Sequence, residues 1–489
     1  MRILYLDLDT LRPDHLGCYG YHRNTSPNID RIASEGVRFT NYYASDAPCL
    51  PSRAAMMSGK FGIHNGAINH SGTAADMRIN GPKRGFQDNL VRDSLPGYLH
   101  SERDLHTCYI GGFGARHSSW TFYAGFQEIH DTGKGGNESA EDVTPSVLKW
   151  IEQNAGSDDW YLHVNYWDPH TPYRAPEAFG NPFADEPLPD WYNQELIDRH
   201  MKIPGPHTIQ DIMMYDDITR DDRPRQPGHV TNMDEMRELI DGYDCGIRYM
   251  DDHIGILLSA LEEKGVMDDL IIMVSSDHGE NFGELGIYAE HGTADQYCSN
   301  IPMIIRWPDK AVPGHVDDGL HYNIDLAPTL AGLLGKQPRA DWDGESYAPA
   351  LTSNNEAGRD ELILGQCAHG CQRSVRWGDW IYIRSWHDGY HCFDDEMLFN
   401  LKTDPHEEQN VIAQYPKVAG IAREKYGRWH EEMMRTMPDG YTEDPMQTVL
   451  REIPCHCDYD MEKYAKRLKD TGRGDSVKII KERHPEVFN

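Results

Sequence analysis

Short apolar runs bounded by polar turns alternate along this chain with longer stretches of helical periodicity, the pattern of an α/β sheet. Ile3 to Leu8, Trp160 to Trp167 and Leu270 to Ser275 are predicted strands, and each runs into polar residues at its C-terminal end: Asp9, His170, and Asp277 with His278. In open parallel sheets ligands bind outside the carboxyl ends of the strands, so these distant residues are expected to converge. Ser26-Pro27 and Glu35-Gly36 carry start and stop signals of a helix, and Asn232 to Lys264 places Met236, Leu239, Ile240, Tyr243 and Ile247 at helical spacing. After about residue 340 Pro, Asp, Asn and Gly become dense, with strand-like segments at Arg373 to Trp386 and Glu396 to Leu401. The expected architecture is a large mixed, mostly parallel sheet sandwiched by helices over 1–355, with a smaller α+β domain over 356–489. From about 440 that domain reads as an extended tail, loosely packed or wrapped as an arm on a neighbouring subunit.

Composition narrows the function. The 489 residues exceed one typical core, which agrees with two domains. The net charge of −32 argues against nucleic acid and makes a small or sparsely sulfated ester easier to admit than a long polyanion. No run approaches a membrane span, and the chain enters a strand at once, where a signal peptide would need a longer apolar region, so a cytoplasmic location is expected, short of a removed leader. Ten cysteines without regular spacing read as reduced thiols. Cys367, His369, Cys371, His387, His391, Cys392, Cys455, His456 and Cys457 lack zinc-finger spacing and read as scattered structural or pocket-lining residues.

The densest chemistry is Cys49-Leu50-Pro51-Ser52-Arg53. Pro51 suits the first turn of a helix that Ala54 to Met57 continue and Ser58-Gly59 stop, so Cys49 is placed at a helix N-terminus. Free N–H groups, the positive end of the helix dipole and Arg53 are expected to make that spot a site for an anion.

Cys-x-Pro-Ser-Arg resembles the signature of the formylglycine-dependent sulfatases, in which the cysteine is oxidised to an aldehyde. Leu8 to Gly20 is similar to that family's opening strand and loop, Ser275 to Glu280 to its second metal-binding turn, and Asp168-Pro169-His170-Thr171-Pro172, Asp325 to Leu330 and Leu398 to Pro405 to further segments. The resemblance runs from residue 3 to about 415 and implies an alkaline phosphatase-like fold and a sulfuric ester hydrolase. It implies metal ligation by Asp9, Asp277, His278 and the modified Cys49, with calcium first and manganese or magnesium as alternatives. Asp7, on the same side of its strand as Asp9, is expected in a supporting salt bridge. Cys49, Arg53, His117, His170 and His291 are the implied catalytic residues.

The chain also departs from the family pattern. Thr10 stands where a second aspartate is usual and His278 where asparagine often stands; Arg116, in Gly114-Ala115-Arg116-His117, stands beside the place of a lost lysine as the substrate-binding cation, and His291 falls where a second lysine usually lies. The implied chemistry is attack on sulfur by a geminal diol at position 49. His291 or His170 protonates the leaving alcohol, Arg53 and the metal offset charge on sulfate, and His117 takes the proton that lets the sulfated enzyme collapse to aldehyde. A formylglycine-generating maturation enzyme is the implied partner, a sulfated saccharide or small sulfate ester the substrate, and the tail leaves a homo-oligomer open. The competing readings are a formylglycine-dependent phosphonate monoester or phosphodiester hydrolase and a non-catalytic binder of sulfated sugars.

Overall fold

A computed structural model describes residues 1–78, 90–211, 223–353, 357–438, 440–458 and 460–488. Its centre is an eight-stranded sheet in the order His315–Asp317, Val37–Phe39, Met303–Arg306, Leu270–Ser275, Arg2–Leu8, Trp160–Tyr166, His106–Ile110, Glu128–His130. Met303–Arg306 runs against its two neighbours and the other pairings are parallel. The three strands that the apolar runs predict lie side by side, with Asp7 opposite Asn165 on one flank and Ser275 on the other. Both faces are covered, which is why these strands read as nearly continuous apolar runs.

Alternation along Arg2–Leu8 sends Leu4, Leu6 and Leu8 into one core and Ile3 and Tyr5 into the other. The first packs against the helices Ala140–Asn154 and Met233–Glu263. The second helix is held at its start by Asn232, whose side chain accepts from the N–H groups of Asp234 and Glu235. The other face carries the Cys49–Ser58 helix, ended by Gly59 in a left-handed conformation with φ of 65°. Asp7 shares the Ile3 and Tyr5 face, directly beneath this helix.

A second, five-stranded sheet has the order Glu396–Asn400, Trp380–His387, Cys371–Trp377, Leu362–Gln366, Asp46–Ala47. The strand expected over Arg373 to Trp386 is a hairpin whose two-residue turn, Gly378-Asp379, is closed by Trp377 opposite Trp380. Asp46–Ala47, immediately upstream of the Cys49 helix, pairs in parallel with Gly365 and Gln366, so the C-terminal sheet is joined to the approach to Cys49. The described part of the closing stretch folds back on the molecule. Met461, Tyr464, Ala465 and Leu468 of the helix Met461–Asp470 pack with Val477, Ile480 and Tyr390. Arg467 and Arg473 pair with buried Asp211 at 2.8 and 2.6 Å. Among the described residues no helix is long and apolar enough to cross a membrane.

Candidate active site

The predicted convergence occurs at the carboxyl ends of the three central strands. Cys49 opens its helix fully buried, and its Sγ stands 3.1 Å from His278 Nε2. Ligand atoms of Asp9, Cys49, Asp277 and His278 all lie within 4.8 Å of one another. His278 Nδ1–H donates to the Gly279 carbonyl at 2.8 Å, which fixes the tautomer and leaves the Nε2 lone pair facing the cluster. Asp277 Oδ1 accepts from the N–H groups of Thr10 and His278 at 3.0 and 2.9 Å, and Asp9 Oδ1 from the Thr10 hydroxyl at 2.7 Å. Thr10 does this from a left-handed conformation, φ 60°, which a β-branched residue adopts only under constraint.

The Arg53 guanidinium is engaged by carboxylates: Nε and Nη2 bind both oxygens of Asp7 at 2.7 and 2.8 Å, and Nη1 contacts Asp277 and stands 3.0 Å from Asp9. Phe113 and Trp167 lie beside it, their centroids 4.4 and 5.7 Å from its central carbon. Asp7 is therefore a salt-bridge residue, as its interior position suggests, and His163 steadies its other side at 3.1 Å.

Three buried carboxylates around one guanidinium leave excess negative charge. Burial, then repulsion from Asp9 and Asp7 working against Arg53, pushes Asp277 up to about 8. Asp9 Oδ2 makes no hydrogen bond despite its burial, and pairs with the Arg53 guanidinium at 3.0 Å. The donor set thus fits a divalent cation: two buried carboxylates with charge in excess of Arg53 and an oriented imidazole lone pair. The same carboxylates bear on the thiol: burial, then Asp9 and Asp277, raise Cys49 well above the ordinary value, outweighing Arg53 and Arg116.

The other predicted residues ring the cluster. His291 lies with its ring 4.2 Å from that of His278 and 5.6 Å from that of His170. Its Nδ1 meets Glu280 at 3.1 Å, and Glu290 Oε1 accepts from its backbone N–H at 2.9 Å. Burial opposes its charge, but Glu290 and Glu280 raise it to about 9, so it stands as an imidazolium where the family pattern has lysine. His170 Nδ1–H donates to the Thr171 carbonyl at 2.7 Å, and burial holds this imidazole neutral. His117, lowered to about 3 by burial, Arg116 and Arg53, is also neutral, with Nε2 lacking a hydrogen bond. Arg116 and Arg174 lie over the Trp167 ring at 5.3 and 5.4 Å.

Sequence reasoning missed Glu280 and Glu290 as the carboxylates that charge His291. It also missed His70, whose ring lies 4.7 Å from that of His117. His369 and His456, read as scattered structural or pocket-lining residues, stand near this cluster, His369 with its ring 5.2 Å from that of His291. Cys367 and Cys371 stand 3.3 Å apart as free thiols.

The sulfatase family model matches residues 2–336, and a model of the N-sulphoglucosamine sulphohydrolase C-terminal region matches residues 283–432. With fold and site agreeing, the chain belongs to the sulfatase family, on the alkaline phosphatase-like architecture, and so to the sulfuric ester hydrolases. Within it, the chain is 25% identical to an N-acetylglucosamine-6-O-sulfatase of Bacteroides thetaiotaomicron, over 92% of this chain and 88% of that one. A choline-sulfatase of Rhizobium meliloti is 26% identical over 80% of this chain and 78% of its own. A structure solved with its substrate D-glucosamine-2-N,6-O-disulfate superposes with a TM-score of 0.70 at 20% identity, covering 90% of this chain and 99% of that one. The phosphonate monoester hydrolase of Agrobacterium radiobacter follows at 0.67 and 18%, covering 88% and 96%.

Proposed function

We propose that this enzyme releases inorganic sulfate from a sulfated saccharide, using formylglycine formed from Cys49. The observation that carries the reading is the enclosure of residue 49 by Asp9, Asp277 and His278 at the start of a buried helix. A thiol that burial and two carboxylates keep protonated is a poor nucleophile, so the position gains its function from oxidation. Asp9, Asp277, His278 and an oxygen on residue 49 would hold one divalent ion, calcium by the hard carboxylates, with manganese or magnesium the alternatives. Such an ion, when bound, polarises sulfate oxygens and favours the ionised form of a hydroxyl beside it.

This chain's own residues divide the remaining work. His291, charged at neutral pH, donates a proton to the departing alcohol oxygen. His170 is neutral, with its Nδ1–H tied to Thr171, and so does not compete for that role. Neutral His117, with Nε2 unpartnered, accepts the proton from the position-49 hydroxyl. Arg116 supplies positive charge for sulfate, and Arg53 holds Asp7, Asp9 and Asp277 in place rather than touching substrate. The saccharide comes from the relatives: the Bacteroides thetaiotaomicron protein and the structure bound to a glucosamine disulfate.

Mass analysis of the tryptic peptide Phe39 to Arg53, from a host able to oxidise the cysteine, tests the nucleophile. The aldehyde mass is expected, and Cys49→Ala should abolish turnover; an unmodified thiol in an active preparation would sink the mechanism. The phosphonate reading is kept by the structural neighbour and by the absent lysine. Parallel assays of aryl sulfate and aryl phosphonate are expected to favour sulfate, and a higher kcat/KM for phosphonate would reassign the enzyme.

A further inference from the structure

Three histidines from remote parts of the chain meet outside the set assigned above. His70 follows the Gly62–Asn65 turn, His369 lies between the strands Leu362–Gln366 and Cys371–Trp377, and His456 sits in the short turn Cys455–Cys457 of the closing stretch. A ligand nitrogen from each lies within 4.8 Å of the others. His70 Nδ1 and His456 Nε2 are 3.0 Å apart, and the rings of His369 and His456 stack at 4.0 Å.

The meeting is built. Asn69 Oδ1 accepts from the N–H groups of both His70 and Cys455, at 2.8 and 3.1 Å, tying the first loop to the closing stretch. His456 N–H donates to the Ala368 carbonyl at 2.8 Å, and Cys457 Sγ donates to the His369 carbonyl at 3.0 Å. His369 is fully buried, yet its Nε2 has no hydrogen-bond partner, and the same holds for His70 Nε2. Behind His369, Glu290 Oε1 stands 3.3 Å from Nδ1. A carboxylate on one ring nitrogen with the other left bare is the arrangement that orients metal-binding histidines.

We propose that His70, His369 and His456 form a second metal site, one that takes a transition ion of the zinc type. Imidazoles without a carboxylate ligand select such an ion over calcium or magnesium, which separates this site chemically from Asp9, Asp277 and His278. Zinc–nitrogen bonds of about 2.0–2.1 Å set tetrahedral ligands roughly 3.3 Å apart, close to the His70–His456 separation. An ion would replace the proton those two nitrogens share. Burial, chiefly, keeps all three rings neutral, the form that binds metal. Three protein ligands leave a coordination position open.

The full chain, made without a polyhistidine tag and stripped of metal, would be titrated with Co²⁺. Two equivalents are expected, one giving the strong visible absorption of a low-symmetry nitrogen site. His456→Ala and His369→Gln should each lose that absorbing equivalent and keep the other, and Asp277→Asn should do the reverse. A single equivalent in the unmutated chain, or an absorbing equivalent that survives both histidine substitutions, overturns the proposal. Where a histidine variant fails to fold by circular dichroism, the stoichiometry of the unmutated chain and the spectrum of Asp277→Asn still decide.

Discussion

At the scale of single residues, what each group can do is set by its immediate company. His291 is charged because two buried glutamates face it and outweigh its burial, whereas burial, then Arg116 and Arg53, keep His117 neutral. Activity that needs His291 protonated is present below about 9 and falls as pH rises through that value. His291→Gln should therefore lower kcat on alkyl sulfates by about 10²–10⁴ and remove the alkaline limb. On nitrophenyl sulfate, whose leaving group needs no proton, the loss should be small; equal losses on both substrates would remove the donor role. Gly279 offers a separate test. A Cβ there would lie 2.0 Å from the Tyr297 carbonyl oxygen, so Gly279→Ala must displace the backbone that orients His278. Weakened binding of the first metal is expected in calorimetry, and unchanged affinity would detach Gly279 from the site.

The residues legible in the sequence were those at strand ends or within a contiguous motif. Asp9, Cys49, Asp277 and His278 could be placed because each adjoins a recognisable strand or helix start. Glu280 and Glu290 were printed beside them, but nothing local says that both carboxylates fold onto one imidazole. The contacts of Arg53 were hidden for a related reason: its spacing from Cys49 is visible, while Asp7, the partner that claims it, lies on the first strand.

Among elements, the three central strands were readable because burial on both faces makes them apolar throughout. The short strands Val37–Phe39 and His315–Asp317, at one end of the sheet, have too few residues to show a period. The closing helices are a different case. Met461, Tyr464, Ala465 and Leu468 stand at i, i+3, i+4 and i+7, a helical stripe that the surrounding charges obscure. Their docking rests partly on Asp211. Against the push of burial, Arg473, with His207 and Arg467, holds its carboxyl down at about 2. A carboxyl depressed by folding contributes stability at neutral pH that disappears as pH falls from about 4 to about 2, so the closing helices should release in that window. Asp211→Asn, leaving buried Arg473 without its charge partner, should cost about 3–5 kcal/mol in denaturant unfolding. Protease sensitivity of the closing stretch unchanged by this substitution would show that other contacts hold it.

For the whole molecule, a metal held by Asp9, Asp277 and His278 would be a stabiliser as well as a reagent, since an unfolded chain has no such cluster. At a hundredfold excess of ion over Kd the gain is about 2.7 kcal/mol, so calcium should raise Tm and a chelator lower it. A Tm indifferent to both would leave the carboxylate excess around Arg53 without its cation.

The pairing of Asp46–Ala47 with Gly365 and Gln366 has a temporal side. The strand that leads into Cys49 finds its partner only after some three hundred further residues have been made, and in the folded chain the side chain of residue 49 is buried. On the proposed mechanism, an oxidising enzyme would have to read the pentapeptide on the growing or unfolded chain, while residue 49 is still accessible. Folding order would then act as a deadline: a chain that folded first would keep its thiol, correctly folded and inert.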